Sequence, residues 1–148
     1  MKCFIYLFLP FIFILSCNKK TQNNSSHIQK GFISESGTYY WNLNKKIVIK
    51  NIGDGGKIFA ILDKLNNVIY QLPFNNTFSD YHYYSFYIDE NQNAYYYNSD
   101  LDDYKALIWN NNLNKYDTIN DFCSNKISLP VEFKKEIQSH VNNCESLK

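Results

Sequence analysis

Tyr83-Tyr84-Ser85-Phe86-Tyr87-Ile88 runs into Asp89-Glu90-Asn91-Gln92-Asn93, and the chain resumes with Ala94-Tyr95-Tyr96-Tyr97-Asn98. Aromatic and β-branched residues suit a pleated, half-buried surface. The five residues between the two runs are Asp, Asn and their relatives, which bond to their own backbone in turns. The stretch therefore predicts a β-hairpin. Two other segments share the layout. Ile58–Leu62 and Val68–Leu72 flank Asp63-Lys64-Leu65-Asn66-Asn67, and Tyr104–Trp109 and Tyr116–Ile119 flank Asn110–Lys115.

The first of these two has a rival reading. Ile58, Leu62, Leu65, Ile69 and Leu72 also fall at helical spacing. The shared strand–turn–strand layout favours hairpins for all three. Upstream, Thr38-Tyr39-Tyr40-Trp41 and Lys46-Ile47-Val48-Ile49-Lys50 read as strands, and Gly53-Asp54-Gly55-Gly56 is the strongest turn signal in the chain. Lys57 follows that turn, but the spacing is wrong for a phosphate-cradling loop and no Ser or Thr succeeds the lysine.

Downstream, Pro130 and Glu132 mark a helix start. Phe133, Ile137, Val141 and Cys144 then fall on one face at helical spacing, predicting a helix over about 130–143. The expected fold class is mainly β (a β-rich α+β chain). It is an antiparallel meander of hairpins with one C-terminal helix packed on the sheet. Several strands, such as Ile58–Leu62, are apolar on both faces. The sheet must therefore be covered twice, curled, or left with a sticky face.

The N-terminal residues are of another kind. Lys2 precedes an unbroken apolar run from Phe4 to Leu15, and the composition turns polar directly after Cys17. A membrane span needs roughly 20 apolar residues, so the run is too short and fits a secretory signal. Ile14-Leu15-Ser16-Cys17 resembles the lipobox of bacterial lipoproteins: an aliphatic residue three before the cysteine, a small residue directly before it, and the cysteine itself. Leu15 stands where a smaller residue is more usual. The resemblance implies cleavage before Cys17, diacylglycerol on its thiol and acylation of the new amino group. An ordinary cleaved signal, with Cys17 incidental, is the alternative.

On this reading residues 1–16 are removed, residues 17–30 are a lipidated cysteine and disordered tether, and residues 31–148 form a single small domain. The expected location is the bacterial cell envelope. Asn18 stands where lipoproteins retained in the inner membrane of some bacteria carry aspartate, so the outer membrane is favoured. Cys3 leaves with the signal and Cys17 carries lipid. Cys123 and Cys144 remain in a compartment that permits oxidation, and a disulfide between them is expected. Two buried thiols are the alternative.

The chain has 15 Lys plus Arg against 14 Asp plus Glu, a formal net charge of +1. No basic field argues for nucleic acid or for an anionic lipid surface. On the first strand of the opening hairpin, His82, Tyr84, Phe86 and Ile88 share one face, while Tyr81, Tyr83, Ser85 and Tyr87 share the other. The first is the better core candidate. The second would be a tyrosine patch, giving a candidate binding face of Tyr81, Tyr83, Tyr87, Tyr95, Tyr97 and Trp109. Tyrosine supplies a large rigid plate with one hydroxyl, which suits protein interfaces and sugar rings alike. Cross-strand packing within a sheet is the plain alternative.

Catalytic signals are weak. His82 and His140 are the only histidines beyond the tether, and no nucleophile elbow, His-Glu-x-x-His or Cys-x-x-Cys occurs. Asn98, Asp100, Asp102 and Asp103 resemble the start of a calcium loop. Asp103 occupies the place of the required glycine, and Trp109 that of the bidentate glutamate. No metal, no cofactor and no catalytic set is expected. The function expected is a non-catalytic, membrane-anchored envelope lipoprotein that binds another protein, in its most concrete version an immunity protein or an inhibitor of a toxin or wall-degrading enzyme. The alternative is a glycan-binding surface lipoprotein with an aromatic face.

Overall fold

The computed structural model describes residues 30–148. The segment expected to be cleaved, Cys17 and the tether up to residue 29 lie outside the described residues. Ten strands follow in order: β1 (Gly31–Ile33), β2 (Gly37–Asn42), β3 (Lys45–Asn51), β4 (Gly56–Asp63), β5 (Val68–Gln71), β6 (Phe78–Ser79), β7 (Tyr84–Ile88), β8 (Ala94–Asn98), β9 (Asp103–Asn110) and β10 (Lys115–Asn120). Two short helices, α1 (Phe122–Asn125) and α2 (Val131–Ile137), come after them. The mainly β class, the antiparallel hairpins and the C-terminal helix all match the expectation.

All three hairpins form: β4–β5, β7–β8 and β9–β10. Two of their turns use one device. Asp63 and Asp89 each open a five-residue turn and accept two backbone N–H bonds on Oδ1, from Leu65 and Asn67 and from Asn91 and Asn93 respectively. The Asn at the fifth position donates its side-chain amide to the other carboxylate oxygen. The fourth residue, Asn66 or Gln92, takes positive φ. This local chemistry decides hairpin over helix for residues 58–72. Leu65 sits in the turn, so the helical spacing of Leu62, Leu65 and Ile69 has no role.

The strands sort into two five-stranded sheets. One runs β1-β7-β8-β9-β10; the other runs β2-β3-β4-β5, with β6 added on β4. Their inner faces pack together. Phe86, Ile88, Ala94, Tyr96 and Leu107 of the first meet Ile47, Ile49, Phe59 and Ile61 of the second, with Leu72 and Phe78 alongside. The opposite face of the first sheet has its own cluster: Tyr95, Tyr97 and Ala106 pack with Phe122, Phe133 and Ile137 of the C-terminal segment. Strand β8 is therefore covered on both sides and all five of its residues are buried. All these elements lie within residues 31–148, which carry their own core.

The helix expected over about 130–143 ends at Ile137. Val141 and Cys144 are buried as their spacing required, but they follow a tight turn rather than a helix. After that turn the disulfide joins Cys123 to Cys144 across a Cα–Cα distance of 4.5 Å. A continued helix, rising 1.5 Å per residue, would carry Cys144 roughly 10 Å past Ile137 and away from α1. With its ends 21 positions apart in sequence, the bridge restricts the unfolded chain by about 3 kcal/mol. Reduction, or the Cys123→Ser/Cys144→Ser pair, is expected to remove about that much in chemical denaturation. A loss under about 1 kcal/mol would mean that the unfolded chain is held compact without the bridge.

Candidate functional site

The tyrosine face is the platform on which the C-terminal segment lands. The Tyr83 ring stacks on His140, with centroids 3.5 Å apart at 10°, and its hydroxyl donates to Glu136 Oε1 at 3.1 Å. Tyr87 meets Phe32 edge-on at 4.9 Å and Phe133 at 6.1 Å. Tyr95 packs on Phe133 and donates to Asp89 Oδ2 at 3.2 Å. Tyr97 stacks on Tyr104 and donates to the His140 carbonyl at 2.9 Å. Tyr95 and Tyr97 are buried; Tyr83 and Tyr87 are half-buried. Burial, then the Glu136 carboxylate beside it, pushes the Tyr83 phenol up to about 12.

This corrects the candidate binding face. Alternation along β7 placed Phe86 and Ile88 inward correctly, but the strand begins at Tyr84. Tyr81 and His82, which were expected on its two faces, precede it and are exposed. Alternation could not show that residues 122–147 fold back over the second face. The six candidates also do not converge. Tyr81 is exposed and lies with its ring against Gly55. Trp109 belongs to the opposite side of the first sheet, packed on Tyr116 within the cluster between the sheets.

Around Trp109 the two sheets meet at one end of the sandwich. Lys45 lies over its ring, with Nζ 2.8 Å from the centroid, and donates to Gln92 Oε1 at 3.1 Å. Asn42 Nδ2 donates to the same oxygen at 2.7 Å. Burial lowers the Lys45 ammonium to about 8, while the ring and the Gln92 oxygen oppose that by favouring the cation. An unfolded lysine titrates near 10.5. Between about pH 8 and 10.5 the unfolded chain thus holds a proton that the native state releases, so stability rises with pH through that window. The denaturation midpoint of wild type is expected to rise relative to that of Lys45→Met as pH goes from 8 to 10. Parallel curves would show that Lys45 keeps its ordinary affinity for the proton.

The remaining chemical candidates are dispersed. His82 has a carboxylate beside it, Asp100 Oδ1 at 3.6 Å from Nε2, and Ser79 Oγ at 3.3 Å from Nδ1. All of this lies on the surface, not in a deep pocket. His140 is stacked under Tyr83. Cys123 is oxidised, which leaves no thiol to attack with. Of the acidic loop, Asn98 is buried and bonds to the Thr77 carbonyl, while Asp103 turns inward to Lys105. Among the described residues, no group of three or more His, Cys, Asp or Glu is placed to hold a metal.

Two surfaces remain open. One is a polar cleft between the Asp89–Asn93 turn and the start of α2, bounded by Asp89, Asn91, Asn93 and Glu132. The rings of Tyr87 and Tyr95 reach it with their hydroxyl ends, because Phe32 and Phe133 occupy their flanks. The other is the outer face of the second sheet, where Val48, Ile52, Ala60, Leu62, Val68 and Phe74, together with Lys50 and Gln71, line a mostly apolar groove of about 300 Å³. No described element covers it. Val68 is 59% exposed and Phe74 71%. Its sequence signal was Ile58-Phe59-Ala60-Ile61-Leu62, apolar on both faces: Ile58, Phe59 and Ile61 are buried in the core, and Ala60 and Leu62 are half-buried on the outer face. Among the described residues no helix is long and apolar enough to cross a membrane. Set against known proteins, the chain matches no family model, no curated protein and no solved structure.

Proposed function

We propose that this chain is a non-catalytic lipoprotein of the bacterial envelope, anchored through Cys17 in the outer membrane, that works by binding another protein. The uncovered apolar face of the second sheet carries the reading. A contiguous exposed apolar patch on a small domain marks a contact surface, and the hydrophobic core of an interface is built from such residues. The binding face thereby moves from the tyrosines to Val48, Leu62, Val68 and Phe74. An exported domain with an open apolar face and dispersed titratable groups suits an inhibitor or an immunity protein that neutralises a toxin or wall-degrading enzyme.

The test is affinity capture with the mature chain from secretions of its own and neighbouring cells. Wild type is expected to retain one protein in stoichiometric amount, and Val68→Asp/Phe74→Asp to lose it without a change in thermal midpoint. Both side chains are exposed, so the variant keeps its core. Substituting Tyr83 and Tyr87 would not serve, because they hold the C-terminal segment. Equal capture by both proteins sinks this face. A second reading, glycan binding, rests on the amide and carboxylate groups of Asp89, Asn91, Asn93 and Glu132 around the polar cleft. Retention on a polysaccharide column that Asn91→Ala/Glu132→Ala abolishes, with no protein captured, would favour it.

A further inference from the structure

Three of the hairpin tips carry an exposed leucine. Leu43 between β2 and β3 is 81% exposed, Leu65 between β4 and β5 is 71%, and Leu113 between β9 and β10 is 59%. Turn geometry does not ask for leucine; it selects Gly, Asn, Asp and Pro. Each leucine also has lysine nearby in the chain: Lys45 and Lys46, Lys64, and Lys115.

The tips share one end of the molecule. Lys45 pairs in register with Asp63, which sets the β2–β3 and β4–β5 turns side by side. Lys46 Nζ donates to Asn66 Oδ1 at 2.5 Å, across the two tips. Asn114, from the third tip, lines the same hollow as Asn44, Lys64 and Leu65. The described chain also begins at this end. Gly31 pairs with Ile88, and Lys30 Nζ bonds to Glu90 Oε1 at 3.1 Å in the β7–β8 turn, the turn whose Gln92 receives Asn42 and Lys45. Of the acids at this end, Asp63 and Asp89 hold their own turns and Glu90 pairs with Lys30, while Asp117 accepts from Asn110 and Glu132 from the Tyr87 hydroxyl.

We propose that this end of the domain docks on an anionic phospholipid bilayer, with Leu43, Leu65 and Leu113 seated among the headgroups and Lys46, Lys64 and Lys115 against the phosphates. Apolar side chains flanked by lysine suit the interface, where the apolar part enters and the ammonium stays with the headgroup. The proposal rests on the anchored reading for what brings the domain to the bilayer. Residues 17 to 30 span at most about 45 Å even fully extended. An anchored domain is thus held at high effective concentration over the surface, where weak tip contacts suffice. The exit of the chain at the leucine end then makes the tips, rather than the β3–β4 turn at the other end, the part that meets lipid. The same orientation leaves the apolar face of the second sheet free for a protein.

The test uses the full chain, purified from membranes in its processed form, in vesicles of phosphatidylglycerol and phosphatidylethanolamine. An environment-sensitive dye is placed on Asn112→Cys, exposed beside Leu113, or on Asn75→Cys, exposed at the opposite end. A blue shift is expected at position 112 and none at 75. The Leu43→Ser/Leu65→Ser/Leu113→Ser variant is expected to lower the shifted fraction by about tenfold, at an unchanged thermal midpoint. High salt or neutral phosphatidylcholine is expected to weaken it as well. Equal emission at both positions, or a triple variant like the wild type, overturns the proposal. The mass of the purified chain reads the anchor separately. If it carries no acyl group, the same chain is titrated with vesicles: a leucine-dependent shift at high lipid upholds the docking surface while the anchor falls, and no shift overturns the docking too.

Discussion

Replacing Lys105 by methionine is expected to destabilise the domain by about 3–5 kcal/mol. Lys105 and Asp103 both project from β9 into the space between the sheets and form a nearly buried ion pair. The Asp103 carboxylate also accepts from Asn76 Nδ2 at 2.9 Å. Tyr70 stands close enough that burial, followed by the Asp103 charge, pushes its phenol up to about 12. Without the lysine, a buried carboxylate keeps a single amide as partner, and its desolvation is no longer offset. The Asp103→Leu/Lys105→Met double replacement is expected to recover most or all of the loss, because exchanging a whole buried pair for apolar groups is often neutral or better. Urea denaturation of both singles and the double closes the cycle. If the single Lys105→Met changes stability by less than about 1 kcal/mol, the pair is effectively solvated.

Truncation of Phe59 is the second large effect expected. Phe59 is fully buried at the centre of β4. Its ring meets Phe86 edge-on at 4.8 Å, Tyr96 at 5.5 Å and Tyr70 at 5.7 Å, so it joins the two sheets. Phe59→Ala removes that side chain and leaves a cavity between rigid strands that can collapse little. The expected loss is about 3–5 kcal/mol, or a fall of the thermal midpoint by roughly 10 °C or more. Phe59→Leu, which keeps most of the volume, is expected to lose much less. Equal losses for the two would mean that the ring contacts matter more than the space they fill. Ala60, the next residue, faces the open groove, so Ala60→Ser is expected to leave the midpoint almost unmoved.

Comparing these neighbours shows how far the sequence could be read. The hairpins were legible because their information is local. Asp63 and Asp89 write their turns with their own side chains, and β-branched and aromatic runs stop where those turns begin. The Gly53–Gly56 turn was legible for the same reason, with Gly53, Asp54 and Gly55 all at positive φ. The helix was half legible: its buried stripe was right, and its end was wrong, since the chain turns after Ile137 before Cys144 meets Cys123. The tyrosine face was misjudged. Period-two alternation tells which residues share a face, but nothing in Tyr83, Tyr87, Tyr95 or Tyr97 says that a segment starting near residue 122 will lie on them.

The sequence by itself determined eight of the ten strands, missing the short β1 and β6, the hairpin turns, and the fact that too many faces were apolar for a single exposed sheet. Those depend on period, turn chemistry and composition, which a short window contains. Tertiary structure decided which apolar face was left over. The ten strands divide between two sheets, the C-terminal segment covers the tyrosine side of one, and the outer face of the other meets no described element. Sheet-on-sheet packing buries one face of each sheet, and one short helical segment is wide enough to cover only one of the two that remain.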